Sequence, residues 1–260
     1  MDRLRHKTAL ITGAARGIGA AIAKAFRDEG AAVFVTDVDN EAGQEQARMI
    51  GAEYHHLDVA LEADWERVSK SVPALDILVN NAGITGFEDG PAAHDPETVS
   101  VEEWRKVHDV NLLGTMLGCR FAIGAMKEKA TGSIINIASR SGLVGIPRAA
   151  AYASSKAAIV NHTRSVALYC AQQGWQIRCN AIAPAAILTG IWEPMLGDGP
   201  DRADKMAALV ADTPLKRFGT PEEVAAIAAL LAGDEAAYMT GETLTLDGGL
   251  LAGSAASPGS

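Results

Sequence analysis

The chain has 260 residues, 48% of them hydrophobic and 21% charged, with a formal net charge of −9. These values fit one α/β domain with a large core. The acidic balance gives no electrostatic footprint for nucleic acid or an anionic membrane, and no stretch approaches the roughly 20 apolar residues of a membrane span. Residues 1–7 carry charges and no apolar signal core ahead of the first strand, so cytoplasmic residence is expected. Cys119, Cys170 and Cys179 are odd in number and widely spaced, which suits reduced thiols better than a disulfide framework or a metal site. His55-His56 has no Cys, Asp or Glu spacing around it that would make a metal site, and no metal is expected.

The first element is a short apolar run over residues 7–12, read as a buried strand. Gly13-Ala14-Ala15-Arg16-Gly17-Ile18-Gly19 follows, and then an alanine-rich helix over 20–29. Strand, glycine turn and helix together make a dinucleotide cradle. Glycine allows tight turns and close backbone approach, and a helix N-terminus offers free N–H groups and a positive dipole end to a pyrophosphate. The spacing is Gly-x-x-x-Gly-x-Gly, which differs from the common Gly-x-Gly-x-x-Gly fingerprint.

A second strand over 31–36 ends at Asp37, 18 positions past Gly19. An acid at that point hydrogen-bonds the adenosine ribose hydroxyls and repels a 2′-phosphate, which favours NAD over NADP. Arg16 pulls the other way, because a cation in the glycine loop could meet that phosphate. Asp37 is given more weight, since Val38 beside it supplies no second cation.

Further strands are expected over 54–57, 75–79, 133–137, 177–182 and 243–246. Helices are expected over 40–50, 62–71, 101–128, 152–173 and 221–232. The last of these opens with Thr220 as N-cap and Pro221 at the first helical position. Alternation of this kind predicts a single Rossmann-type domain, with a doubly wound, mostly parallel seven-stranded sheet and helices on both faces. Ligands of such sheets bind at the carboxyl ends of the strands. The chain divides into a catalytic domain over 1–250, with a substrate lid near 190–215, and a small, polar tail over 251–260.

Tyr152 and Lys156 are four residues apart, with Ser139 thirteen residues upstream. On a helix the pair shares one face. A nearby ammonium favours the phenolate and would lower the tyrosine from its reference of about 10, allowing proton exchange with an alcohol or carbonyl. Ser141 competes with Ser139 for the role of hydroxyl partner, and the spacing to Tyr152 favours Ser139.

Thr12-Gly13-x-x-x-Gly17-Ile18-Gly19, Asp58-Val59, Asn80-Asn81-Ala82-Gly83, Asn111, Ser139, Tyr152-x-x-x-Lys156 and Pro184 occur in one order along residues 7–249. In this set the chain resembles the short-chain dehydrogenase/reductases. The resemblance implies a nicotinamide cofactor and a catalytic group of Asn111, Ser139, Tyr152 and Lys156. Tyr152 would be the general acid/base, Ser139 would bind the same substrate oxygen, and Lys156 would lower the Tyr152 pKa and grip the nicotinamide ribose. Asn111 would organise a water-linked proton path. Along the cofactor, Asp58 would accept from the adenine amino group with the Val59 backbone complementing it, and Asn81, Ala82 and Gly83 would lie close to it. The Ile187 backbone and the Thr189 hydroxyl would meet the carboxamide, following Pro184. The family usually has Pro-Gly here, whereas this chain has Pro184-Ala185, and a different seat for the loop is expected.

Substrate identity is less constrained. Residues 190–215 include Ile191, Trp192, Met195, Leu196, Met206, Leu209 and Val210, with Leu143, Val144 and Ile146 just past Ser139. They could form an apolar wall for a hydrophobic or cyclic, steroid-like alcohol or ketone, or simply pack the lid onto the body. A 3-oxoacyl-thioester reductase or a sugar or polyol dehydrogenase is the alternative within the family, and a non-catalytic NAD-binding sensor is the alternative outside it. A homotetramer is a family expectation.

Overall fold

The computed structural model describes residues 2–72, 74–88 and 93–253, so residues 254–260 of the expected tail lie outside the described residues. Seven strands form one sheet: β1 (Thr8–Thr12), β2 (Ala32–Asp37), β3 (Glu53–His56), β4 (Ile77–Asn80), β5 (Thr131–Ile137), β6 (Gln176–Pro184) and β7 (Thr243–Leu246). Their order is β3-β2-β1-β4-β5-β6-β7, and every neighbouring pair is parallel. Strands covered on both faces read as continuous apolar runs, as in the fully buried Ile77-Leu78-Val79-Asn80. The strand order reverses between β1 and β4, which opens a crevice at their carboxyl ends.

Helices cover both faces. One layer packs α1 (Gly17–Asp28) and α9 (Pro221–Ala232) on the sheet through Ile22, Phe26, Val224 and Ala228. The opposite layer uses α3 (Glu62–Ser71), α5 (Gly114–Met126) and α6 (Ala150–Gln172) through Trp65, Leu117, Ala122 and Val166. Local chemistry sets the helix starts. Asp39 caps α2 (Asn40–Ile50) by accepting from the Ala42 N–H, and Thr220 and Glu223 form a reciprocal capping box on α9. The three cysteines are free and buried. No helix is long and apolar enough to cross a membrane among the described residues.

Three elements differ from the sequence reading. The first helix begins at Gly17, so the last glycine of the motif sits in its opening turn. The helix expected over 101–128 is α4 (Val101–His108), a π-type turn at Asp109–Leu113, and α5. Asn111 lies in that turn, where one extra residue is accommodated while its side chain bonds other segments. Residues 190–215 contain two short helices, α7 (Glu193–Leu196) and α8 (Arg202–Leu209), whose polar sequences carried no strong period.

Candidate active site

The turn after β1 is held from below. The Thr12 hydroxyl oxygen accepts from the backbone N–H groups of Asn81 and Ala82, both at 3.0 Å. The Asn81 amide returns two bonds, to the carbonyls of Thr12 at 2.9 Å and Gly13 at 2.8 Å. The carboxyl ends of β1 and β4 are thereby tied across the crevice. Asn81 spends its side chain on this brace. Gly13 has φ +59°, and a Cβ there would lie 2.7 Å from the Ala82 Cα, so both conformation and space demand glycine. Gly17, at φ +58°, has the Thr189 methyl as its nearest neighbour, 3.5 Å from where a Cβ would be. Space for a phosphate group in front of the turn is thus preserved. Gly19 is pressed against the Gly13 carbonyl and the Asn81 amide, and Ile18 packs onto the core.

At the end of β2 the Asp37 carboxylate accepts from the Ala15 N–H and the Asp39 N–H, each at 3.0 Å. It therefore stands at the rim of the glycine turn. Arg16 forms an ion pair with Asp39. Two acids and one paired cation leave this corner net negative. Asp58 accepts from the Ala60 N–H at 3.0 Å, while the Val59 carbonyl is taken by the Trp65 indole at 2.9 Å.

Asn111, Lys156 and Gly83 meet in the crevice. A Cβ on Gly83 would lie 3.0 Å from Asn111 Oδ1 and 3.3 Å from Lys156 Nζ. Asn111 is fully buried and completely bonded. Its Oδ1 accepts from the Ile84 N–H at 2.8 Å, and its Nδ2 donates to the Ile84 carbonyl at 2.9 Å and to Ser155 Oγ at 3.0 Å. The residue clamps the segment after β4 onto α6. Lys156 donates to the Ile137 carbonyl at 2.9 Å and stands 5.7 Å from the Tyr152 ring centroid. Burial depresses its ammonium to about 8.

The expected lowering of Tyr152 is not what the surroundings produce. Burial raises the phenol above its ordinary value; the Ser139 hydroxyl and the Arg140 charge oppose that rise, and Glu88 adds to it. Lys156 points instead to the Ile137 carbonyl. Ser139, rather than Ser141, is the serine whose hydroxyl acts on the Tyr152 phenol. Its oxygen also accepts from the Ser141 N–H at 3.1 Å, which opens the short 3₁₀ turn Arg140–Gly142.

Beyond Pro184 the chain bends at Ala186 and Thr189, with a single bridge at Ile187 between them. The Ala185 N–H bonds the Leu246 carbonyl at 3.0 Å, and Ile187 bridges Gly219 in parallel. Ala185 is not among the non-glycine residues with positive φ, so alanine sits where the family usually has glycine without backbone strain. Two residues near the site, Glu88 and Arg140, were not singled out from the sequence, and two that were, Thr12 and Trp192, make bonds the sequence did not show. Thr12 braces the turn, and the Glu88 carboxylate accepts from the Thr85 N–H and hydroxyl and from the Gly86 N–H. Arg140 has a buried Nε without a partner, and Trp192 bonds the Ile187 carbonyl. Position offered one signal: Arg140 directly follows Ser139.

Known proteins agree with this architecture. A family model described as enoyl-(acyl carrier protein) reductase matches residues 13–251. The 3-beta-hydroxysteroid dehydrogenase of Comamonas testosteroni is 37% identical over 96% of this chain and 98% of its own length. The NADP-dependent (R)-specific alcohol dehydrogenase of Lentilactobacillus kefiri is 36% identical over 96% and 99%. The ligand-free structure of Thermoplasma acidophilum aldohexose dehydrogenase superposes with a TM-score of 0.85 at 34% identity, covering 100% of this chain and 99% of that one. With matches of this extent, and with its crevice at the β1–β4 switch, the chain belongs to the short-chain dehydrogenase/reductase family, as an oxidoreductase acting on the CH–OH group of alcohols.

Proposed function

We propose that the protein is an NAD(H)-dependent dehydrogenase that moves a hydride between nicotinamide and a secondary alcohol or ketone with a hydrophobic or cyclic body. The observation that carries this reading is the meeting of Asn111, Lys156 and Gly83 beside Ser139 and Tyr152, at the mouth of the glycine turn. The nicotinamide cofactor, when bound, supplies or takes the hydride. Gly13, Arg16, Gly17, Ile18 and Gly19 would line its pyrophosphate, and Asp37 its adenosine ribose. Asp58, Val59, Asn81, Ala82 and Gly83 would follow the adenine and the second ribose. Pro184, Ile187 and Thr189 would meet the carboxamide.

The chain's own groups divide the rest of the work. Ser139 and Tyr152 both present hydroxyls to the substrate oxygen. Tyr152 gives up its proton to that oxygen in ketone reduction and takes it back in alcohol oxidation. Lys156, held by the Ile137 carbonyl, would grip the nicotinamide ribose, while the Ser139 hydroxyl and the Arg140 charge oppose the burial that raises Tyr152. Asn111 keeps Ile84 and Ser155 in place behind the lysine.

Asp37 and Asp39 support NAD, because Arg16 is already neutralised by Asp39. The Lentilactobacillus relative, named as NADP-dependent, favours the other dinucleotide as a second reading. Residues 190–215 would act as the substrate lid, with Ile191, Met195 and Leu209 as apolar exposed groups. A homotetramer in the cytoplasm would use the exposed Trp104, Leu168 and Tyr169 on α4 and α6. Fluorescence titration with NADH and NADPH tests the cofactor, and clearly tighter NADPH overturns the reading of Asp37. A screen of NAD reduction over aliphatic, cyclic, steroid and sugar alcohols tests the substrate. A best rate on polyols would overturn the apolar body, and no turnover on any class would favour a sensor.

A further inference from the structure

We infer that Trp192 is a positioning residue whose indole latches the 190–215 segment to the strip that receives the nicotinamide carboxamide. The inference rests on the functional reading above and extends it to a residue that this reading does not use. In the parallel bridge between Ile187 and Gly219, the neighbours of Ile187 make the bonds. Gly219 N–H donates to the Ala186 carbonyl at 2.9 Å, and Leu188 N–H donates to the Gly219 carbonyl at 3.0 Å. Strand geometry then turns the N–H and C=O of Ile187 itself to the opposite edge. On that edge the Trp192 indole N–H donates to the Ile187 carbonyl at 2.8 Å. The Ile187–Leu188 peptide is therefore held at both ends, by the indole on one side and by Gly219 on the other. The Ile187 N–H faces the same edge as the gripped carbonyl.

The indole is itself fixed. It stands edge-on to Phe218, with ring centroids 5.5 Å apart and an interplanar angle of 80°. Phe218 is buried and adjoins Gly219 and the capped start of α9. The Trp192 backbone N–H also closes a turn onto the Thr189 carbonyl at 3.1 Å. Thr189 in turn borders the Gly17 position of the glycine turn. The first turn of the 190–215 segment is thus wired to the strip over residues 185–189 through one side chain. Binding at the strip and closure of the segment must then favour each other reciprocally.

The test compares wild-type protein with W192F, which keeps a ring against Phe218 and lacks the indole N–H. Two readouts are taken: NADH affinity by fluorescence, and the rate of tryptic cleavage after the half-buried Arg202 and the exposed Lys205 of the segment. The latch predicts that NADH slows cleavage of the wild type. It further predicts that W192F binds NADH about fivefold more weakly, the effect of one lost neutral hydrogen bond, and is protected less at saturating NADH. A W192F protein with wild-type affinity and wild-type protection overturns the latch. So does one that loses only thermal stability. A wild-type protein that binds neither NADH nor NADPH overturns the functional reading and the latch together, whereas NADH binding with equal affinity and equal protection in both proteins overturns the latch alone.

Discussion

The floor of the crevice and the 190–215 segment above it are built on opposite terms. In the floor Asn111, Ser139 and Lys156 are buried, and each polar group has a named partner. In the segment α8 buries no residue at all, and Ile191, Met195 and Leu209 are exposed. Leu196, Val210 and Thr213 are its buried residues among those described. A buried polar group without a partner is costly, so the floor admits few residue types. An exposed apolar side chain costs little in stability, so the segment is free to vary with the substrate it must fit.

This contrast can be broken in four places, taken from the largest expected effect. Tyr152→Phe should lower turnover about 10²- to 10⁴-fold while NADH affinity stays within about twofold, as read by steady-state kinetics and fluorescence titration. Ordinary activity in that variant would remove the proton-transfer role. Asn111→Leu should cost about 1–2 kcal/mol in denaturant unfolding, because it leaves the half-buried Ile84 N–H and C=O without their partner. An unchanged midpoint would show that the clamp is dispensable.

The third test uses pH. Lys156 loses its proton near 8 in the folded state, against an ordinary value of 10.5. Its charge is present below about pH 8 and lost above it, so NADH should bind more weakly as pH rises through 8. The linked stability has the opposite sense: folding disfavours the proton, so this contribution is absent below pH 8 and grows between pH 8 and 10.5. A flat binding profile to pH 10 would argue that the lysine makes no contact with the dinucleotide. The smallest effect belongs to the segment. Met195→Ala should change stability by no more than about 0.5 kcal/mol yet raise KM for apolar alcohols several-fold. Unchanged KM values would assign Met195 to packing alone.

The alternation of strands and helices and the glycine turn were legible because they depend on local signals, namely apolar runs, a Gly-x-x-x-Gly-x-Gly spacing and acids after strands. The same holds for the α9 start, where Thr220 and Pro221 spell out a cap. The bracing of that turn was not legible. Thr12 and Asn81 are 69 positions apart, and nothing local couples them. Tyr152 shows a different failure. The helical spacing placed Lys156 on the correct face, but the sign of the pKa shift depends on desolvation and on where the ammonium points. Both are properties of the packed molecule. Trp192 was counted among apolar wall residues because a sequence shows its ring and hides the acceptor for its N–H.

The π-type turn at Asp109–Leu113 also fixes the phase of everything after it. An α-helix turns 100° per residue, so one extra residue rotates the downstream face by that angle. Gly118 of α5 is appressed to the Asn80 side chain, where a Cβ would lie 2.0 Å from Oδ1, and Gly114 faces Val59 in the same way. Straightening the turn into regular helix without shortening the chain would advance the downstream face by about 100° and bring Leu113 and Leu117 to the places that these glycines keep open. Deleting one residue of the turn removes the bulge and keeps that phase, whereas inserting one more residue would turn the downstream face away from the sheet. A comparison of the two would measure how much of this fold depends on the angular setting of one helix.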